Sequence, residues 1–157
     1  MEKPNASGAE KQIHPYPGLE CLERLVGHWK VRGPEIDGEI SYEWMDGGYF
    51  LIQRFNLIHN GRNIKGIEII GFTKDFFAES PSEYLKSRIY DNHGSTFDYT
   101  YEVDENSLTI WGGEIGSPAY YKGIWSKDGN TNSGRWVYPG GGYESTMIRT
   151  NSQGGTT

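Results

Sequence analysis

Glu68 is the residue in this 157-residue sequence whose surroundings most invite chemistry. It stands in Gly66-Ile-Glu-Ile-Ile-Gly71, and on a strand its own face also carries Ile64, Ile70 and Phe72. A carboxylate on an apolar face must be paired, neutralised or solvated, because unpaired burial of charge is costly. Pointing inward, it would take Arg54, Arg88 or a ligand cation as its partner, and a raised pKa would suit it to general acid or base work. Were Ile67 and Ile69 the inward residues instead, Glu68 would face water; alternation leaves both arrangements open. Tyr99 is the second candidate catalytic group. Phe97, Tyr99, Tyr101 and Val103 share one face of their strand and Asp98, Thr100 and Glu102 the other, so the aromatic side is expected inward, with the Tyr99 hydroxyl available to a cavity.

Trp44, Trp111, Trp125 and Trp136 fall on four different expected strands. Bulky rings supply apolar contact area with few rotatable bonds, and indole N–H groups orient polar ligand atoms. Facing inward they would wall a ligand pocket, with Arg54, Glu68, Arg88 and Tyr99 as its polar groups; core filling is the alternative use of the same rings. Asp91 and His93 also suggest acid–base chemistry, but Asn92-His93-Gly94 is good hairpin chemistry in its own right. His28 alternates away from Trp29 and is expected outside; His14 lies in the leader and His59 beside an Asn-Gly turn. With no second His at a short fixed spacing and no Cys cluster, a metal site has little support. Pro139-Gly-Gly-Gly142 lacks the Lys-Ser/Thr of a nucleotide-binding loop, and no nucleophile elbow occurs.

These residues need a scaffold, and composition points to β-structure: 22 glycines and 14% aromatic residues, with turn chemistry at short intervals. The length suits one domain with a sizeable core and no disulfide staples. The single cysteine, Cys21, has no partner in the chain, which suits a reducing cytoplasm and the role of a small packed hydrophobe. A net charge of −6 argues against a nucleic-acid partner. The polar opening segment has no apolar stretch of the kind a signal peptide needs, and no run of about 20 apolar residues exists to span a membrane.

Periodicity predicts strands over 27–33, 38–45, 49–57, 63–72, 84–91, 95–103, 107–111, 119–126, 131–138 and 143–150. Ile40, Tyr42 and Trp44 alternating against Glu39, Ser41 and Glu43 give the clearest half-buried pattern. Residues 19–25, with Leu19, Leu22 and Leu25 at helical spacing, form a short helical plug. Residues 73–83 make a longer loop, expected as a portal flap. The fold expected is all-β: a single closed up-and-down antiparallel barrel of about ten strands over 14–150, with a mobile leader (1–13) and tail (151–157).

Five segments carry a resemblance: Leu25-Val-Gly-His-Trp29, the stretch Tyr42 to Phe50, the stretch Gly66 to Phe72, Tyr90-Asp-Asn-His-Gly94 and Gly134-Arg-Trp136. In this order they resemble a bacterial domain-of-unknown-function family of calycin-like barrels, akin to lipocalins, fatty-acid-binding proteins and nitrobindins. The resemblance spans about residues 19–150 and implies a barrel with an internal cavity; it implies no reaction. It also implies that Trp29 and Arg149 pack together at the closed end in a structural role. Nitrobindin-like barrels hold haem through a His near the carboxyl end. This sequence has no His after His93, so haem is a minor alternative, with Tyr143 or Met147 as donors in principle. The function expected is binding of a small, largely apolar or aromatic molecule without a cofactor. The alternative is a cyclase, isomerase or dehydratase working through Glu68 or Tyr99 in the same cavity. A homodimer through an exposed strand or the flap fits the architecture.

Overall fold

The structure, a computed structural model, describes residues 13–150. The leader expected over 1–13, Ile13 apart, and the tail expected over 151–157 lie outside the described residues. Ten strands follow a short 3-10 helix (Glu20–Leu25): β1 (Gly27–Arg32), β2 (Ile36–Trp44), β3 (Phe50–His59), β4 (Arg62–Gly71), β5 (Leu85–Asp91), β6 (Asp98–Val103), β7 (Ser107–Gly112), β8 (Tyr120–Trp125), β9 (Thr131–Tyr138) and β10 (Gly141–Arg149). Each strand pairs antiparallel with its neighbours in sequence, and β1 pairs with β10, so the meander closes into a barrel. The seam sets Trp29 opposite Arg149 and Val31 opposite Met147. Closure leaves no free edge on the sheet of the described residues.

The strand ends shift where turn chemistry competes with the ladder. β6 begins at Asp98, three residues later than alternation suggests: the Asp91 carboxylate accepts the backbone N–H groups of His93 and Ser95 and shapes the turn at 92–94, and residues 95–97 meet β5 only through the Ser95 and Phe97 carbonyls, which accept from Asp91 and Ile89. Between β3 and β4, Asn60 (φ 52°) and Gly61 (φ 82°) supply the left-handed pair that a two-residue hairpin requires.

Alternation divides every strand between core and solvent. Trp29 and Val31 on β1, Ile40 and Tyr42 on β2, Leu51 and Phe55 on β3 and Ile70 on β4 are buried. The helix joins them through Leu22 and Leu25, with Leu19 just ahead of it, and caps one end of the barrel. Its last carbonyls have no partner within so short a helix, and the barrel seam supplies the donors. Arg149 donates from Nη1 to the Val26 carbonyl and from Nη2 to that of Arg24, both at 2.7 Å, while Trp29 Nε1 donates to the Leu25 carbonyl at 2.9 Å. The Arg149 guanidinium lies 4.2 Å from the Trp29 ring centroid, and Arg24 lies 4.1 Å from that of Trp125.

The same end carries the turns after β2, β6 and β8. The β2–β3 turn accepts the Tyr16 N–H through Gly48, the β6–β7 turn accepts from Arg24 through Asp104, and the β8–β9 turn accepts from Arg149 through Asn130. Strand alternation therefore puts the β4–β5 loop, residues 72–84, at this plugged end as well. The portal flap expected over 73–83 is thus not at the mouth; its Phe76 and Phe77 rings meet at a 59° tilt, 4.9 Å between centroids, and are 88% and 90% exposed. The open end is ringed by the turns after β1, β3, β5, β7 and β9. Among the described residues, no helix is long and apolar enough to cross a membrane.

Candidate functional site

Between the plug and the open end lies a cavity of about 330 Å³. That is space on the scale of ten waters and within the range of small-ligand sites. Aliphatic side chains make much of its wall, among them Ile40, Leu57, Ile64, Ile89, Leu108 and Ile110, while Tyr42, Tyr99, Tyr101, Tyr121, Trp136 and Tyr143 supply aromatic surface. The rings are mutually supported: Trp136 lies 6.1 Å from Tyr99 and 5.5 Å from Tyr121, centroid to centroid. At one wall Gly123 is required, because a Cβ there would collide with the Asn132 carboxamide and the Tyr121 hydroxyl. Those two groups are hydrogen-bonded at 2.8 Å, Tyr121 donating.

Register decides which way Glu68 faces. Across the β3–β4 pair Gln53 is opposite Glu68 and Arg54 opposite Ile67; across β4–β5 Ile89 is opposite Glu68 and Arg88 opposite Ile69. Opposed residues share a face, so Glu68, Gln53 and Ile89 point inward together and both arginines point outward with Ile67 and Ile69. Glu68 is 5% exposed and lines the cavity. Its Oε2 accepts the Ser87 hydroxyl at 2.6 Å and the Tyr101 hydroxyl at 2.8 Å, and no donor among the described residues reaches Oε1. Beside it, Gln53 Nε2 donates to the Tyr42 hydroxyl at 2.8 Å.

Burial pushes the Glu68 pKa above its ordinary 4.5, and the hydrogen bonds from Ser87 and Tyr101 pull it only part of the way back. Tyr42, Tyr99 and Tyr101 are raised by burial first and by the neighbouring Glu68 charge second, and Tyr121 by burial, so all four are neutral donors near pH 7. Tyr143 at the mouth is pushed up to about 12, again chiefly by burial. A single buried carboxyl among neutral phenols is chemically able to anchor a polar ligand atom or to exchange a proton with one.

The structure brings Glu68, Tyr99 and Trp136 to the cavity and leaves the other expected pocket residues outside it. Arg54 is exposed and pairs with Glu43 at 2.6 Å; Arg88 is exposed and pairs with Asp98 at 2.6 Å, so neither serves as partner to Glu68. Trp111 lies on the outer wall, donating to Glu102 at 2.8 Å and packing at a tilt against Tyr120, 5.2 Å between centroids. Trp44 donates to Glu23 at 2.9 Å beside the plug, and Trp125 packs 6.2 Å from Trp29 in the plugged end. Four tryptophans on four strands thus serve three different environments, because spacing along a strand gives parity but not height in the barrel. Asp91 accepts the backbone N–H groups of His93 and Ser95, which makes it a turn-forming residue that also borders the mouth.

Sequence reasoning passed over Gln53, Ser87 and Tyr42, and it left His59 beside its turn. Gln53 and Ser87 carry the same signal as Glu68: a polar residue on the apolar parity of its strand, Gln53 among Leu51, Phe55 and Leu57, and Ser87 between Leu85 and Ile89. His59 lines the mouth with its ring 4.3 Å from that of Tyr143. Its Nε2 is buried with no hydrogen-bond partner, 4.0 Å from Glu35 Oε1, so that nitrogen meets protein and not open space. Tyr143 and Met147, the haem donors considered from sequence, also line the cavity. Among the described residues no group of three or more His, Cys, Asp or Glu is placed to hold a metal ion. Cys21 is partly buried against the core, and desolvation raises its thiol pKa, which disfavours the reactive thiolate.

Taken together, fold and cavity define a closed ten-stranded antiparallel barrel with an internal, largely apolar site that opens at one end. No family model matches the sequence, and no curated protein matches it either.

Proposed function

We propose that this protein is a calycin-like binding protein that holds a small, largely apolar or aromatic molecule inside its barrel. The observation that carries this is the cavity of about 330 Å³ walled by aliphatic and aromatic side chains, with Glu68 and Tyr99 among the polar groups that converge on it. A pocket that is mostly apolar with a few convergent polar groups is the usual form of a small-molecule site. The lone cysteine, partly buried, supports a cytoplasmic setting. Native mass spectrometry of protein purified from its own source tests the proposal. A discrete added mass of one small organic molecule is expected; a protein that stays bare, and that also fails to bind a neutral probe such as N-phenyl-1-naphthylamine, contradicts it.

A second function is favoured by one observation, the Glu68 Oε1 left without a donor beside a cavity. A carboxyl so placed suits proton transfer in a cofactor-independent cyclase, isomerase or dehydratase. Glu68→Gln separates the two. Loss of turnover of the copurified molecule with nearly unchanged affinity marks an enzyme, whereas a carrier shows altered affinity or no effect.

A further inference from the structure

Resting on the binding function proposed above, we infer that the natural ligand is an organic cation, an amine on an apolar or aromatic body, whose nitrogen seats against Glu68 Oε1. Two observations lead there. The first is the inventory of charge: among the described residues the cavity is lined by two carboxylates, Glu68 and Asp91, and by His59, but by no Lys or Arg. The arginines on the neighbouring strands are turned outward and occupied, Arg54 by Glu43 and Arg88 by Asp98. A carboxylate or phosphate guest would enter an apolar space that offers no cation to pair with it, and an ionised Glu68 would repel it across a low dielectric.

The second is the geometry around the carboxyl. Ser87 and Tyr101 both donate to Oε2, which fixes the plane of the group and leaves Oε1 to the cavity side. The nearby walls carry Tyr42, Tyr99, Tyr101, Tyr121 and Trp136, whose ring faces attract a cation and whose stems surround an apolar body. A carboxyl at the inner end and an aromatic surround match the two halves of such a molecule, a charged nitrogen and an apolar frame. Asp91 at the mouth lies one inward step along the sheet from Glu68, on the strand beside it, and adds negative potential along the entry path.

An amine that binds this way must meet an ionised Glu68, so a proton leaves the protein wherever the carboxyl was protonated beforehand. The titratable groups facing it are Tyr42, Tyr99, Tyr101 and Tyr121, with Asp91, His59 and Tyr143 nearer the mouth. The tyrosines are held neutral, and Asp91 is lowered by its backbone hydrogen bonds, chiefly that from Ser95. Glu68 is therefore the group expected to lose the proton, and Glu68→Gln checks that assignment.

The test is a matched series titrated calorimetrically into the full-length protein: 2-phenylethylamine, the neutral 2-phenylethanol and the anionic 3-phenylpropionate. The expected result is that the amine binds at least about 30-fold more tightly than the alcohol, the scale expected of a buried charge pair, and that the acid does not bind. Buffers of differing ionisation enthalpy should report proton release with the amine alone. In Glu68→Gln, which keeps acceptors for Ser87 and Tyr101, the amine's advantage and the proton release should both vanish while the alcohol still binds. If N-phenyl-1-naphthylamine binds but the amine shows no advantage over the alcohol, or the acid binds best, the cation inference is overturned and the binding function stands. If none of the four probes binds, both fall together.

Discussion

At the plugged end of the barrel, the Arg149 guanidinium donates to the carbonyls of Arg24 and Val26 and to the Asn130 side chain, and it covers the Trp29 ring. Further along the interior, Glu68 accepts two hydrogen bonds on Oε2 and none on Oε1. One polar group has a protein partner at each of its three nitrogens; the other has partners on one oxygen alone, and its second oxygen faces space. The difference teaches which part of the barrel holds the fold together and which part is free to meet something else. The plugged end closes the sheet, seats the helix and excludes a ligand. The cavity end keeps apolar walls apart around a carboxyl, an arrangement that costs stability and is consistent with a binding role.

The comparison can be broken most forcefully at Trp29, which is 1% exposed and sits at the seam. Trp29→Ala should cost about 4 kcal/mol, the usual range for removing a buried aromatic ring, read from urea unfolding. Arg149→Leu comes next, at roughly 3 kcal/mol, because it removes charge-assisted hydrogen bonds and strands two carbonyls near the helix end. In either variant, whatever fraction remains folded should bind N-phenyl-1-naphthylamine with unchanged affinity. A large loss of affinity without a loss of stability would mean the two ends are not separate in function.

Glu68 sharpens the comparison through pH. Its folded pKa lies above its unfolded value near 4.5, so between those two values the folded state binds the extra proton. Its contribution is then fully present below about 4.5 and is lost as pH rises through the folded pKa, so stability falls with rising pH over that window. Asp91, Asp98, Asp104 and Asp128 are lowered and act in the opposite sense at lower pH, as their paired carboxylates protonate. The difference between wild type and Glu68→Gln isolates the Glu68 part. The wild type should lose stability relative to the variant as pH is raised from 4.5, and parallel curves would contradict the buried placement. The smallest effects belong to the outer wall: Arg54→Ala and Arg88→Ala should each leave the urea-unfolding midpoint nearly unchanged, since both pairs are exposed and screened by solvent. Neither should alter probe affinity.

Much of the barrel was legible in sequence because turn chemistry and period-2 alternation are local. Asn60-Gly61, Asp46-Gly47-Gly48 and the strand of Ile40, Tyr42 and Trp44 placed elements to within a few residues of where they form. The pairing of Trp29 with Arg149 came from resemblance to closed barrels, and the register sets the two opposite each other. The site was harder to see. Alternation along β4 allowed either Glu68 or its isoleucine neighbours to face inward; what settles it is register against β3 and β5, a non-local quantity. The same limit misplaced Arg54 and Arg88, which were considered for their charge and not for the parity they share with Ile67 and Ile69. Trp44 and Trp125 have inward parity but sit too near the plug to reach the cavity, and Trp111 has the opposite parity. The loop at 73–83 was expected at the mouth because long loops often guard portals, yet counting strand reversals from the plug puts it at the other end.

Titration of N-phenyl-1-naphthylamine into the wild type and into Ile110→Trp, which projects a bulkier ring from the wall and narrows the cavity, tests the central claim most directly. The expected result is saturable binding of one probe per chain with a fluorescence rise in the wild type. In a variant whose melting temperature shows it to be folded, that binding should be abolished. Binding that persists in Ile110→Trp, or a wild type that shows no saturable signal, would contradict the claim that the hollow interior is where this protein meets its ligand.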